Sequence, residues 1–215
     1  MYSIIKYSSP VDPNELMLHA LFSSVTQNKL QHVKADMYRQ PHYKIWDDGR
    51  DIFIVIDENN ADLFGNVLCQ DFAFIHQGKE VVLKFEGKQR FEVSPIEMEE
   101  RVHLIGTLNY ARKVGQKHVC PAGKDGFISL EAENNFKTYF LNQTGIWLED
   151  VQVMSIPVHD LPISQSVSNN HTVMLHNAFG LSGVGVVKDA KKAFLIEVSS
   201  IGKKRSYGFG NLFIQ

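Results

Sequence analysis

Apolar and polar positions alternate with two different periods along this chain, and each change of period marks an element. Tyr2–Tyr7 alternates weakly, as a short first strand does. Asp12-Pro13-Asn14-Glu15 then carries helix-start chemistry: Asp12 as N-cap, Pro13 at the first helical position, and Glu15 where a capping carboxylate belongs. Leu18, Leu21, Phe22 and Val25 follow at helical spacing and predict the buried stripe. Glu15, His19, Ser23 and Thr26 share the other, polar flank. Extended segments are expected at His32–Arg39, Tyr43–Asp47 and Asp51–Asp57, then a short helix over Ala61–Leu68 and a strand at Phe72–His76. That order is β-α-β-β-α-β, the ferredoxin-like arrangement.

Gln77-Gly78-Lys79 predicts a division into a domain at 1–78 and a second at 79–215. In the second, Val81–Phe85 and Arg90–Ser94 read as strands around a turn at Glu86-Gly87-Lys88. Residues 97–126 are polar and broken by Pro121 and Gly123, so they read as an insertion. Phe127–Asn142 reads as a helix ending at Gly145, and Ile146–Pro157 and His171–Phe179 as extended. Val187–Val198 reads as a helix with Val187, Ala190, Phe194 and Val198 on one face. A glycine-rich loop at 200–210 and a terminal strand complete a second β-α-β-β-α-β unit. The expected fold class is α+β, two tandem ferredoxin-like domains, although no sequence repeat is visible between the halves. Gly180, Gly183 and Gly185 are spaced GxxGxG rather than GxGxxG and lack a βαβ opening, which favours a turn or bulge over a dinucleotide site.

The 215 residues are 44% hydrophobic and 21% charged, enough for sizeable cores, and the net charge of −2 excludes a generally basic nucleic-acid coat. Any polyanion site must be a local patch. Cys69 and Cys120 form neither a CxxC pair nor a zinc set. The opening MYSIIKYSSP is too short and polar for a signal peptide, and no apolar run approaches a membrane span, so a soluble cytoplasmic protein is expected.

Candidate chemistry gathers at two places. Gly202, Gly208 and Gly210 frame the consecutive cations Lys203, Lys204 and Arg205, a composition suited to phosphate through charge and donors. Taken alone, the same stretch reads first as a turn entering a C-terminal strand, with solvated lysines. Lys188, Lys191 and Lys192 on the preceding helix, and Arg112, Lys113 and Lys117 in the polar region, are further phosphate candidates. His19 is the best-placed proton-transfer group, with His32, His42, His159, His171 and His176 in reserve. No carboxylate cluster of the two-metal nuclease kind is present in the sequence pattern, so neither metal nor cofactor is expected.

The stretch SIGKKRSYGFG at 200–210, with LMLHALF at 16–22 and the helix–loop–strand order at the C-terminus, resembles the RAMP superfamily of CRISPR-associated proteins. Within it the chain looks like the repeat-cleaving endoribonucleases that mature CRISPR RNA, closest to the branch serving subtype I-E Cascade complexes. Ser200 stands where that family has its first loop glycine, and Leu16 stands where some relatives carry a tyrosine one turn before the histidine. The resemblance implies metal-independent cleavage of a CRISPR repeat hairpin by 2′-hydroxyl attack, leaving a 2′,3′-cyclic phosphate. His19 would transfer a proton as base or acid, and the loop cations would grip phosphate. It also implies retention of the mature crRNA and partnership with other subunits of a Cascade-like complex. A non-catalytic RAMP-fold subunit that holds guide RNA shares the fold and the loop. An unrelated α+β protein cradling a small phosphate is the third reading.

Overall fold

The computed structural model describes residues 1–26, 42–59, 69–76, 78–110, 112–114, 117–123, 126–155, 161–163, 172–174, 178–202 and 205–215. The extended segment expected at His32–Arg39 and the helix expected at Ala61–Leu68 lie outside them.

In β1 (Tyr2–Ser8) the inward positions are Ser3, Ile5 and Tyr7, the alternation a half-buried strand requires. Helix α1 (Glu15–Thr26) buries Met17, Leu18, Leu21 and Phe22. Its start is fixed by Asn14 rather than Asp12: the Asn14 Oδ1 accepts from the Met17 N–H at 3.1 Å, and its carbonyl accepts from the Leu18 N–H at 3.1 Å. Strands β2 (Tyr43–Asp47), β3 (Asp51–Asp57), β4 (Phe72–His76) and β5 (Lys79–Phe91) complete a five-stranded antiparallel sheet of order β2-β3-β1-β5-β4. Helix α1 packs on it through a core that includes Ile5, Ile45, Ile52, Ile54 and Leu83.

Two expectations change in this sheet. Val81–Phe85 and Arg90–Ser94 are not strands about a turn: residues 79–91 form one strand, because Glu86 is accommodated as a bulge where the pairing with β1 shifts between Lys6 and Tyr7. The 78/79 division falls in the turn of the β4–β5 hairpin. Because β5 pairs with β1, it takes the position of the fourth ferredoxin-like strand, and the first sheet extends to Phe91.

The second sheet is built from β6 (Arg101–Asn109), β11 (Ile146–Ser155), β14 (Ala178–Val187) and β15 (Leu212–Ile214), in the order β11-β14-β6-β15. Counting its strands one to four along the chain gives 2-3-1-4, the same order that β2, β3, β1 and β5 adopt in the first sheet. The duplication absent from the sequence is therefore present in the topology, and the fold is tandem ferredoxin-like. Strand β6 lies inside the stretch expected as an insertion. Val102, Leu104 and Leu108 are buried, while outward Arg101 and His103 gave the segment its polar character. The rest of that stretch holds two small hairpins, β7 (Arg112–Val114) with β8 (Lys117–Val119) and β9 (Ala122–Gly123) with β10 (Gly126–Phe127). A further short pair, β12 (Leu161–Ile163) and β13 (Thr172–Met174), precedes β14.

Helix α2 (Leu130–Thr144) begins at Ser129, whose hydroxyl accepts from the Ala132 N–H, and stops at left-handed Gly145, whose φ is 70°. It buries Ala132, Phe136, Phe140 and Thr144. Helix α3 (Ala190–Val198) is shorter than expected, because β14 runs through Val187 and Asp189 caps the helix. Its buried residues are Ala193, Ile196 and Val198; of the stripe expected at Val187, Ala190, Phe194 and Val198, the two valines are buried, Val187 at the end of β14, while Phe194 is only partly covered. Gly183 and Gly185 are strand residues of β14. A Cβ on Gly185 would lie 2.5 Å from Ile146 Cγ2, so close packing against β11 and not nucleotide binding accounts for that glycine. Among the described residues no helix is long and apolar enough to cross a membrane.

Candidate nucleic-acid interface

The edge strands β2 and β15 approach each other where the two sheets meet, and the loop between α3 and β15 fills the junction. Ser200 N–H donates to the Tyr43 carbonyl at 2.9 Å, covering the exposed edge of β2. Asn211 Nδ2 donates to the Ile45 and Gly208 carbonyls, each at 2.7 Å, and its Oδ1 accepts from Ser200 Oγ at 2.6 Å. Ser200, standing where the resembled family has glycine, thus supplies a hydroxyl that joins loop entry to loop exit. Lys44, buried at 1% exposure, donates to the Leu212 carbonyl at 2.5 Å and lies 4.4 Å from the Phe213 ring centroid. Burial lowers its pKa to about 8, with Glu197 opposing that shift.

Within the loop, Gly210 has φ 81°, and a Cβ there would lie 1.9 Å from the Ile201 carbonyl oxygen, so only glycine closes the loop neck. Ile201 N–H donates to the Gly210 carbonyl, and Gly210 N–H to the Thr107 carbonyl of β6, both at 2.9 Å. The loop then turns through a single 3-10 turn, Arg205–Tyr207. Arg205 lies over the Tyr43 ring at 4.7 Å and donates to the Ser200 carbonyl at 3.4 Å.

That turn meets α1 at its polar flank. His19 Nδ1 is 3.0 Å from Ser206 Oγ, its Nε2 is 3.4 Å from Ser23 Oγ, and its ring stacks on Tyr207 with centroids 4.0 Å apart and planes 9° from parallel. The histidine and the loop are 187 positions apart in sequence at the Ser206 contact, yet they form one surface. Burial raises the Tyr207 pKa, keeping the phenol neutral. A cleft of about 300 Å³ opens beside this stack, walled by Trp46, Phe213 and Tyr207, with Glu15 and Asp47 at its edge. On the other side of the loop a cleft of about 260 Å³ is lined by His42, Lys192, Gly202 and Arg205 among others. Burial pushes the His42 pKa down, and Arg205 adds to that while Asp57 opposes it.

The remaining sequence candidates divide by place. Gly202, Gly208 and Gly210 each have the positive φ the loop requires. Lys192 reaches the second cleft and sits 3.7 Å from Asp189. Lys191 is exposed on α3, and Lys188 pairs with Glu99 at 2.7 Å. Arg112, Lys113 and Lys117 belong to the separate β7–β8 hairpin. Lys203, Lys204, His32, His159, His171 and His176 lie outside the described residues. Among the described residues no group of three or more His, Cys, Asp or Glu side chains could hold a metal ion. Sequence reasoning missed Ser206, Tyr207, Lys44 and Asn211. Only the serine and tyrosine carried a signal, since they follow the cations directly inside the glycine frame.

No protein-family model matches the chain, and no curated protein matches it in sequence. Solved structures do match along its whole length, and they show the fold: it is that of the CRISPR-associated proteins Cse3 and Cas6e. In particular it is shared with the CRISPR endoribonuclease Cse3 bound to a 19-nucleotide RNA, at TM-score 0.57 and 13% identity over 100% of both chains. Cas6e from Escherichia coli K-12 matches at TM-score 0.51 and 13% identity, over 100% of this chain and 98% of that one. A chain of a CRISPR RNA-guided surveillance complex matches at TM-score 0.58 and 12% identity, over 99% and 98%.

Proposed function

We propose that this protein is an endoribonuclease that cuts CRISPR repeat RNA without metal and stays with the mature crRNA in an effector complex. The observation that most supports the reading is the contact of His19, a side chain able to transfer a proton near neutral pH, with Ser206 and Tyr207 of the glycine loop. The fold shared with RNA-bound Cse3, and with a chain of a surveillance complex, supports RNA and complex partners.

In the reaction the 2′-oxygen bonds to the adjacent phosphorus and the bond from phosphorus to the 5′-oxygen breaks. The products are a 2′,3′-cyclic phosphate and a 5′-hydroxyl, so one proton leaves the attacking hydroxyl and one reaches the leaving oxygen. His19 serves one of these transfers. Stacking on Tyr207 and the Ser206 contact fix the ring, while the longer Nε2 contact to Ser23 is the one substrate displaces. Arg205, Lys203 and Lys204 offset the charge that builds on the phosphate. Lys192 and His42, across the loop, extend the grip along the strand, with Lys191, Lys188 and the 112–117 cations as outlying contacts.

Incubating the protein with cognate repeat hairpin RNA in excess EDTA tests this. The expected products are one defined cut with a 2′,3′-cyclic end, and no cut when the nucleotide before the scissile bond is 2′-deoxy. Tight binding of the intact hairpin without a cut would assign the fold to a non-catalytic guide-RNA subunit instead.

A further inference from the structure

We propose that the edge of β11 from Val151 to Met154, with the groove beside it, docks an extended, lysine- or arginine-bearing segment of a partner protein, which adds a strand to the second sheet. The inference is independent of the RNA reading above. The sheet edges β2 and β15 meet at the glycine loop and are occupied there. The other edge of the second sheet is β11, ten residues long, with β14 on one side only among the described residues. Neighbouring strands lie about 4.8 Å apart, so β11 stands roughly 14 Å from β15 across the sheet. A segment docked there leaves the glycine loop open.

A long edge strand invites pairing unless something blunts it. The first half of β11 is blunted: its register against β14 shifts between Leu148 and Asp150, as at a bulge, and Lys137 Nζ donates to the Glu149 carbonyl at 3.2 Å. From Val151 onward the pairing with β14 is regular, and no other backbone hydrogen bond holds Val151–Met154 among the described residues. In an antiparallel strand every second residue turns its N–H and C=O away from the paired neighbour, so this half offers a ladder to a further strand. The groove beside it, about 660 Å³, is lined by Val151, Gln152, Val153 and Met154 in succession. Successive side chains of a strand point to opposite faces, so only a groove that runs along the edge meets four in a row.

Side chains and charge specify the occupant. Phe127 and Leu130 form the opposite wall, and Leu130 is 73% exposed, Met154 50%, and Ile128, between the lining residues Phe127 and Ser129, 69%. Large apolar side chains this exposed, gathered along one strand edge, suit a protein partner. Glu131 and Asp150 are exposed beside the groove. Glu133 lines it and pairs with Lys137 at 2.9 Å, and Glu149 pairs with Arg101 at 3.2 Å. Among the described residues these carboxylates outnumber the neighbouring cations. Residues 156–177, which follow β11, contain no lysine or arginine, and Lys124 and Asp125 of the β9–β10 turn offset each other in charge. A negative rim around an apolar edge favours a cationic segment and repels nucleic acid.

The test uses the full-length protein and three labelled twelve-residue peptides. One alternates lysine with valine, one alternates glutamate with valine, and the third is the lysine peptide N-methylated through its centre, which keeps charge and side chains but removes the ladder donors. Affinity is read by fluorescence anisotropy and location by hydrogen exchange. The lysine peptide should bind about tenfold or more tightly than either of the others, and should slow amide exchange at 151–154 but not in the glycine loop. Leu130→Ser combined with Met154→Ser should weaken that binding about tenfold while affinity for hairpin RNA stays unchanged. Equal affinity for the three peptides, no measurable binding of the lysine peptide, protection away from the β11 edge, or binding that the double variant leaves intact overturns the proposal. The peptide comparison and the exchange map need no altered protein, so a folding defect in the variant cannot decide the matter.

Discussion

At the scale of single residues, Lys44 and His19 show how one junction serves both packing and chemistry. Lys44 is buried where the sheets meet and directs its ammonium to the Leu212 carbonyl and the Phe213 face. Its folded pKa of about 8 lies below the value near 10.4 of an unfolded lysine. Between those values the unfolded chain binds more protons than the native one, so stability rises with pH across that window. Integrated, the effect is on the order of 3 kcal/mol. Comparing the thermal midpoint of the wild type with that of Lys44→Met isolates this group from others that titrate nearby. From pH 8 to pH 10 the wild type should gain on the variant. A gap that stays constant would show that Lys44 titrates normally. His19, by contrast, is half-buried on a polar flank, where hydroxyls hold its two nitrogens and an aromatic ring fixes its plane.

At the scale of elements, the loop from Ser199 to Gly210 determines whether α1 and the second sheet present one surface. Gly210→Ala places a methyl group into the Ile201 carbonyl at a left-handed φ. We expect it to cost about 2–4 kcal/mol, seen as a drop in urea midpoint together with loss of RNA binding. Unchanged stability would mean that the loop neck opens freely.

The elements also mark how far the sequence could be read. Helix α1 and helix α2 with its Gly145 stop followed from periodicity and cap chemistry, β1 from its alternation, and β2 and β3 from apolar runs bounded by turn residues, because each of these signals is local. Strand β6 did not, since its outward residues include Arg101 and His103 and its inward ones alternate with them inside a cationic stretch. Strand β5 looked like two strands because Glu86-Gly87-Lys88 resembles a turn, whereas pairing with β1 absorbs it as a bulge. Of the candidate site, the histidine flank and the glycine loop were each legible alone. Their contact was not, since positions 19 and 206 meet only after both sheets have formed. Lys44 had no local signal, because its partner is a backbone carbonyl of a distant strand, and Asn211 showed none for its bond to the Ile45 carbonyl across the junction.

At the scale of the whole molecule, two ferredoxin-like sheets meet edge to edge and trap a basic loop between a histidine and an acidic aromatic cleft. The net charge of −2 is no obstacle to RNA binding once cations are gathered on one loop and one helix. In this architecture the loop should set affinity, and α1 should set rate. Single-turnover cleavage of the repeat hairpin, with protein in excess and EDTA present, separates the two. His19→Ala should bind the hairpin with wild-type affinity and cleave it at least about 100-fold more slowly. Replacing Lys203, Lys204 and Arg205 together with alanine should weaken binding and flatten its salt dependence by about 0.7–0.9 log units per log of salt for each phosphate no longer neutralised. A His19→Ala protein that cleaves the bound hairpin as fast as the wild type would contradict the account.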